Sequence, residues 1–103
     1  MATTITPGTT PTLTFTIPFE TSSITALYIS FMKAGAVRVE KDISHCTLGE
    51  KTISCALTQE ETLKFGNEQK IEIQIRAKKT TGEAVASNVM SVMTSKVLKD
   101  GVI

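Results

Sequence analysis

The segment 71–78 alternates strictly between apolar and polar side chains, and it restricts the fold more than any other feature of the sequence. Its apolar members are Ile71, Ile73, Ile75 and Ala77. Successive side chains of a β-strand point to opposite faces, so this segment predicts a strand with one buried and one solvated face. Such strands are typical of antiparallel sheets, and we therefore exclude a parallel sheet covered by helices on both faces.

Shorter alternating segments predict six further strands. They cover residues 13–17, 24–32, 37–40, 43–47, 53–57 and 84–94. In the second of these, Leu27, Ile29 and Phe31 share one face. The turn residues 33–35 predict a hairpin with the strand that follows. The alternation slips near residue 87, which indicates a bulge in the last strand.

Residues 58–66 break the alternation and predict one short helix near residues 59–64. Thr58 and Glu61 have the spacing of a capping box, in which each side chain binds the backbone N–H of the other residue. Gly66 can follow in the left-handed conformation that ends many helices. Seven short strands and one brief helix predict a single all-β domain, built as a two-sheet sandwich or a small barrel.

The two ends of the chain differ in character. Residues 1–10 combine threonine with Pro7 and Gly8, and we expect a flexible arm there because these residues disfavour a helix. Residues 96–103 form a C-terminal tail that is unusually apolar, since it carries Leu98, Val102 and Ile103. At 103 residues, the chain has the length of one domain, with boundaries at residues 1–103.

The charge balance argues against nucleic acid as a partner. Eleven basic and ten acidic residues leave a net charge of +1, and the basic residues are scattered instead of forming a stripe that would neutralise phosphates. No apolar run approaches the roughly 20 residues that a membrane span needs. The first residues lack the basic and apolar regions of a secretory signal peptide, so we expect no membrane partner and a cytosolic protein.

Groups that could perform catalysis or bind metal are few. His45 is the only histidine, so a set of four metal ligands is not completed. Ser44 and Asp42 lie near it, but neighbouring residues of a strand point to opposite faces and would not converge. Glu60 and Glu61 are consecutive on the predicted helix and diverge, unlike the two acids of a glycosidase. We therefore predict no enzyme activity, no metal and no other cofactor.

The two cysteines, Cys46 and Cys55, are too few for a disulfide scaffold. A turn over residues 48–51 would place Cys46 opposite Ile53 and leave Cys55 diagonal to Cys46. A disulfide is conceivable across that diagonal, but its geometry would be poor. We predict two buried thiols in a reducing compartment, with the disulfide as the alternative.

Six short motifs lie in order along nearly the whole chain. They are GTTPTLTF at 8–15, LTQEETLKF at 57–65, IQIR at 73–76, Gly82, the pair at 86–87 and VLKDGVI at 97–103. Together they resemble a family of small phage and prophage tail or baseplate proteins of Gram-positive bacteria. The pattern is also similar to the N-terminal immunoglobulin-like domain of siphophage baseplate upper proteins. The resemblance implies an immunoglobulin-like antiparallel β-sandwich of about seven strands.

The same resemblance implies a structural component of a phage or prophage tail, assembled in the cytoplasm of the bacterial host and then part of the virion tail. Its partners would be other tail or baseplate proteins and further copies of itself in the particle. We expect Leu98, Val102 and Ile103 to form an interface with neighbouring subunits. The alternative is an immunoglobulin-like module that binds carbohydrate or the host surface, although Tyr28 is the only tyrosine and tryptophan is absent.

Overall fold

Residues 4–103, which the computed structural model describes, form two β-sheets that enclose one core. The strands of this region are β1 (Thr4–Ile5), β2 (Thr12–Thr16), β3 (Ile24–Lys33), β4 (Ala36–Asp42), β5 (Cys46–Leu48), β6 (Thr52–Ala56), β7 (Lys70–Lys79), β8 (Ala84–Ala86) and β9 (Met90–Thr94). The helix α1 is Gln59–Leu63. Two 3₁₀ turns cover Thr21–Ser23 and Ile43–His45.

The strand order is that of an immunoglobulin-like sandwich. The larger sheet has the order β1-β9-β7-β3-β4, with β8 also paired to β7, and the smaller sheet has the order β2-β6-β5. If β2 is taken as strand B, these pairings reproduce the B-E-D sheet and the G-F-C sheet with its added C′ strand. The predicted all-β sandwich is therefore confirmed. One pair departs from the antiparallel expectation, because β1 runs parallel to β9.

The predicted alternation fills the space between the sheets. On β7, Ile71, Ile73 and Ile75 are at most 6% exposed. Phe31 of β3 pairs with Ile73, and it lies with its ring centroid 5.8 Å from that of Phe65. Both phenylalanines are fully buried. The smaller sheet contributes the buried side chains Ile53, Cys55 and Leu57. The predicted strand at 71–78 is confirmed, and burial of its apolar face holds the two sheets together.

The predicted hairpin after β3 is confirmed, and it closes through a two-residue turn. Lys33 pairs with Ala36, so Ala34 and Gly35 are the central residues. Both have positive φ, 52° and 80°. This is the type I′ geometry, whose twist matches that of the flanking strands. An alanine in this left-handed region carries steric strain that glycine or asparagine avoids.

Two predicted strands differ in the structure. The strand predicted over 43–47 is wrong in its first half, because Ile43–His45 is a 3₁₀ turn and β5 begins at Cys46. The strand predicted over 84–94 is interrupted at residues 87–89, where one extra residue shifts the register against β7. At the interruption, the Ser87 hydroxyl accepts the N–H of Ile75. The interruption agrees with the predicted slip near residue 87, and it divides the strand into β8 and β9.

Much of the predicted flexible arm is ordered. Ile5 is 1% exposed and pairs with Thr94 of β9, and Pro7 is also buried. The N–H of Gly8 donates to the Thr62 hydroxyl of α1 at 2.9 Å. Residues 1–3 of the predicted arm lie outside the described residues. The flexible-arm prediction is therefore wrong for residues 4–8, which attach the start of the chain to β9 and α1.

The helix begins at Gln59 as predicted and ends at Leu63, one residue before the predicted end. The Glu61 N–H donates to the Thr58 hydroxyl, and the Glu61 carboxylate accepts the Thr58 N–H at 2.9 Å, which completes the capping box. Gly66 follows with φ of 75°. Thr62 is fully buried, and its hydroxyl donates to the carbonyl of Thr9. The helix thus holds the β6–β7 connection against the N-terminal segment.

Candidate functional site: an apolar groove and an exposed tail

An apolar groove of about 580 Å³ opens between the two sheets, on the side where β2 faces β8 and β9. We define the groove by six lining residues, which are Phe15, Ile17, Phe19, Ile75, Val85 and Met90. Most of these side chains are only half-buried, although they extend the core. The sandwich is therefore incompletely closed along this side, and water meets apolar side chains there.

One wall of the groove is an edge of β2 that pairs with no strand among residues 4–103. The other edge pairs with β6, where Ile17 donates its N–H to the Lys51 carbonyl and the Pro11 carbonyl accepts from Leu57. Antiparallel pairing alternates, so the odd-numbered residues of β2 point their backbone groups toward β6. The backbone N–H and C=O groups of Thr12, Thr14 and Thr16 therefore point outward. We call this side of β2 the open edge.

The opposite wall is β8, a strand of three residues. It pairs with β7 through Val85 opposite Ala77, and no strand of the described chain covers its outer side. The interruption at 87–89 separates β8 from β9 and keeps this wall short. The groove thus runs between two strand edges, each of which can accept one further strand.

A cation lies at one end of the groove, which we call its mouth. The Lys79 ammonium lies 4.3 Å from the centroid of the Phe19 ring and 3.2 Å from the Glu83 carboxylate. The cation–π contact and the ion pair hold Phe19 at the rim. Sequence reasoning missed Phe19, because it lies outside every alternating segment and gives no local signal of its position.

The predicted interface residues lie on the surface, away from the groove. Leu98 is 90% exposed, Val102 53% and Ile103 86%. We call residues 96–103 the apolar tail. It lies against α1 and the following loop, because Val97 donates its N–H to the Asn67 amide oxygen at 3.2 Å and Ile103 donates to the Gln59 amide oxygen at 2.9 Å.

The apolar tail and the mouth of the groove lie at opposite ends of β7. The tail follows Thr94, whose N–H donates to the Gln69 carbonyl just before β7 begins. Lys79, which contacts Phe19, is the last residue of β7. Nine steps of about 3.3 Å separate Lys70 from Lys79, so the two features are about 30 Å apart.

His45, Ser44 and Asp42 converge, against the prediction from strand alternation. The 3₁₀ turn lets one Asp42 oxygen accept from the Ser44 N–H at 3.0 Å, the Ser44 hydroxyl at 2.5 Å and His45 Nδ1 at 2.9 Å. The Ser44 hydroxyl lowers the pKa of Asp42 the most, against a smaller opposing effect of burial. The hydroxyl binds the carboxylate and not the imidazole, so the three side chains cap the turn and do not form a nucleophile and base pair.

The cysteines also differ from the prediction. Cys46 pairs directly with Cys55, and Leu48 is the partner of Ile53. Cys55 is 2% exposed, and Cys46 is half-buried with its thiol 3.3 Å from the Asp42 carbonyl. Burial, with a smaller effect of Cys46, raises the pKa of Cys55 to about 11. Both thiols are free in this structure and protonated at neutral pH.

Glu61 has a role beyond the capping box that the sequence did not reveal. Its carboxylate lies 2.7 Å from the ammonium of Lys41, which is only 7% exposed. Burial pushes the pKa of Glu61 upward, but the hydrogen bond from Lys41 and the Thr58 N–H outweigh it and leave the pKa lowered. Glu61 therefore neutralises a buried cation as well as capping α1. Glu60, the other residue considered for catalysis, is exposed.

The solvated face of the larger sheet holds a second, more open cavity of about 390 Å³. Tyr28 of β3 is 48% exposed there. Around it stand the polar side chains Ser30, Glu40, Arg76 and Lys78. An exposed ring beside hydrogen-bonding groups is an arrangement suited to a sugar.

Comparisons of the chain with protein-family models, with curated proteins and with solved structures find no match. The relationship to phage tail proteins therefore stays a prediction from the sequence motifs. Within residues 4–103, none of the helices has the length and apolar character to cross a membrane. The same part of the chain has no cluster of three or more His, Cys, Asp or Glu side chains that could hold a metal ion.

Proposed function

We propose that this chain is a structural component of a phage or prophage tail, of the baseplate type, which acts through contacts with neighbouring proteins. The groove carries this proposal, because its apolar walls lie between two strand edges without a partner among residues 4–103. A groove of this form offers backbone hydrogen bonds and apolar burial to one extended segment at the same time. The sequence motifs supply the phage context.

The apolar tail supports the same role. Leu98 and Ile103 are almost fully exposed, and a neighbour that covers such a side chain gains about 1.5–3 kcal/mol for each. A protein with an acceptor groove and a separate apolar segment has two contact surfaces, as a repeating subunit requires. In this proposal the subunit is made in the host cytoplasm and is then held in the virion tail by both contacts.

The test uses particles released from the strain that encodes the chain. Tailed particles are purified on a density gradient, and the chain is quantified by mass spectrometry. We expect it in the particles of the wild type and of Val37→Glu, a control at an exposed site on β4. Val85→Glu in the groove should prevent its incorporation. Intact tailed particles without the wild-type chain would contradict the proposal, as would flanking genes of a metabolic operon.

The cavity at Tyr28 favours carbohydrate binding as a second candidate function. A sugar ring could stack on the exposed face of Tyr28 while Arg76 and Glu40 bind its hydroxyl groups. A glycan array probed with the whole chain tests this directly. The candidate requires a signal that Tyr28→Ala abolishes and Val37→Ala preserves. An array without signal, or a signal that Tyr28→Ala leaves intact, rejects it.

A further inference from the structure

We propose that the groove of one copy of this chain binds the apolar tail of a second copy, so that copies join in series. This inference rests on the proposed function and names one partner of the groove. The acceptor is the groove with the open edge of β2, and the donor is residues 96–103.

The chemistry of the two surfaces is complementary. The groove presents aromatic and aliphatic side chains, and the tail carries three exposed apolar side chains, Leu98, Val102 and Ile103. The open edge offers the backbone N–H and C=O groups of alternate residues from Thr12 to Thr16. The tail contains no proline, so every residue in it has a backbone donor for that edge.

The tail can change from its present bend to an extended segment at Gly101. This residue has φ of 85°, where the Asp100 carboxylate accepts its N–H at 3.0 Å. Glycine reaches extended backbone as easily as the left-handed region, so the segment straightens without steric cost. Only two hydrogen bonds between Gln59 and Ile103, both exposed, hold the end of the tail to α1.

The geometry favours a second copy over the tail of the same chain. The tail begins beside Gln69 at one end of β7, whereas Phe19 and Lys79 lie at the other end, about 30 Å away. Residues 95–103 reach about that length only when fully extended. Within one molecule the tail would have to turn back after Thr94, because β9 runs from Met90 away from the groove. Leu98 would then reach no farther than the Met90 end, while a tail from a neighbour can enter along the whole length of the groove.

Donor and acceptor are different surfaces, so the contact is heterologous. Every pair of copies keeps one empty groove and one unused tail, and further copies can add. The assembly then grows into a ring if the rotation between copies closes, and into a filament if it does not.

Complementation between two variants tests the contact. The groove variant is Val85→Glu, with Thr14→Pro at the open edge as a second version in case Val85→Glu unfolds. The tail variant is Leu98→Asp with Val102→Asp, and Val37→Asp is the matched control. Circular dichroism first establishes that each variant folds. Sedimentation velocity over a range of concentrations then measures oligomer size for each protein, and for equal mixtures of the groove and tail variants.

We expect the wild type and Val37→Asp to form species larger than dimers as concentration rises. Each defective variant should stay monomeric, and their mixture should stop at a dimer, because it contains one intact groove and one intact tail. A fluorescent peptide of residues 95–103 should bind the tail variant, and Val85→Glu should weaken the binding of this peptide at least about tenfold.

Monomeric wild type at every concentration, together with no peptide binding, would overturn the inference. A wild-type oligomer that the tail variant leaves intact would overturn it as well, since the contact would then lie elsewhere. The particle experiment separates this failure from that of the proposed function. If Val85→Glu still blocks incorporation into particles, the groove takes a segment of another protein and the structural role stands. If the wild-type chain is absent from particles, both fail.

Discussion

Cys46 lies directly opposite Cys55 in the β5–β6 pair, at a position without backbone hydrogen bonds between the two residues. The N–H of Gly49 donates to the Thr52 carbonyl, so these two residues form a hydrogen-bonded pair. Hydrogen-bonded and non-hydrogen-bonded pairs alternate along the β5–β6 ladder from there. Cys46 and Cys55 fall on the other set, whose Cα atoms are about 4.5 Å apart. That separation lies within the range that a disulfide spans.

We therefore expect oxidised glutathione to convert the two thiols into a Cys46–Cys55 disulfide, releasing two molecules of reduced glutathione. The cross-link should raise the free energy of unfolding by about 2–3 kcal/mol, as expected for a loop of this length. Oxidation should be faster at alkaline pH, because the pKa of Cys55 is raised to about 11 and the thiolate is the reactive form. Thiol titration and urea unfolding measure both effects.

Cys46→Ser is the control for this prediction. This variant cannot form an internal disulfide, so it should keep its remaining thiol and gain no stability. Two titratable thiols in folded wild-type protein after long oxidation at about pH 9 would count against the pairing.

Glu61→Gln should lower the free energy of unfolding at neutral pH by about 1–3 kcal/mol, because it leaves the buried Lys41 without its counter-charge. Glutamine can still accept the Thr58 N–H, so the cap persists. The pKa of Glu61 is lowered in the folded protein, so its contribution is complete above the ordinary value of 4.5 and is lost as pH falls through the lowered one. In urea unfolding, the free energies of unfolding of wild type and Glu61→Gln should therefore differ less at about pH 3 than at pH 7.

The neighbouring Glu60→Gln is the matched control. Glu60 is exposed and forms no ion pair with residues 4–103, so its loss should change stability by less than about 0.5 kcal/mol. Equal effects of the two substitutions at pH 7 would show that the Lys41 pair adds nothing.

Ala34→Asn should stabilise the protein by about 0.5–1 kcal/mol. Ala34 has φ of 52° in the type I′ turn, a conformation that asparagine adopts at lower cost than alanine. The same substitution at Ala36, which is exposed on β4, should give no gain. Thermal unfolding of the three proteins measures the difference. A lower midpoint for Ala34→Asn than for wild type would show that Ala34 is not strained in this turn.

Thr14→Pro should leave the fold intact while it removes a backbone donor from the open edge. The N–H of Thr14 points away from β6, so proline breaks no backbone hydrogen bond of the smaller sheet and removes only the exposed hydroxyl contact with Ser54. Ser54→Pro is the contrasting variant, because Ser54 lies in the central strand of that sheet between Thr14 and Thr47. We expect near-wild-type circular dichroism for the first and loss of cooperative unfolding for the second. If both substitutions abolished cooperative unfolding, the Thr14 N–H would have a partner within the chain, and this edge of β2 would not be available.

The sequence predicted the strands that have one buried face. The alternation of β7 and the shared face of Leu27, Ile29 and Phe31 follow from the two-residue period of a strand, and burial in the structure agrees with both. The capping box was also predictable from the sequence, because its two hydrogen bonds join Thr58 and Glu61, which are three residues apart. Local periodicity and local hydrogen bonds are therefore sufficient for the elements and for the outline of the sandwich.

The register between β5 and β6 could not be predicted from the sequence. The predicted turn at 48–51 was one residue too early, and a turn moved by one residue shifts the pairing by two. Every side chain then keeps its face but changes its partner, which is why Cys55 moved from a diagonal position to one opposite Cys46. Hydrophobic pattern cannot detect such an error, because it reports faces and not partners.

The groove could not be predicted, because it depends on the relative position of β2, β8 and Phe19 in different parts of the chain. The cluster of Asp42, Ser44 and His45 did have a signal. Aspartate two residues before serine is typical of a capped turn, and that reading would have replaced strand alternation there. The tail residues Leu98, Val102 and Ile103 are exposed, and their role as an interface stays a prediction.

In the proposed assembly, the threonines of β2 determine how a neighbour attaches. Their backbone groups are available along about 16 Å of strand, while their hydroxyl-bearing side chains keep the outer face of that strand wet. Long, flat and apolar edges lead to uncontrolled stacking into fibrils. A short edge with a polar outer face disfavours such stacking, so subunits of the proposed assembly can add in sequence without fusing sideways.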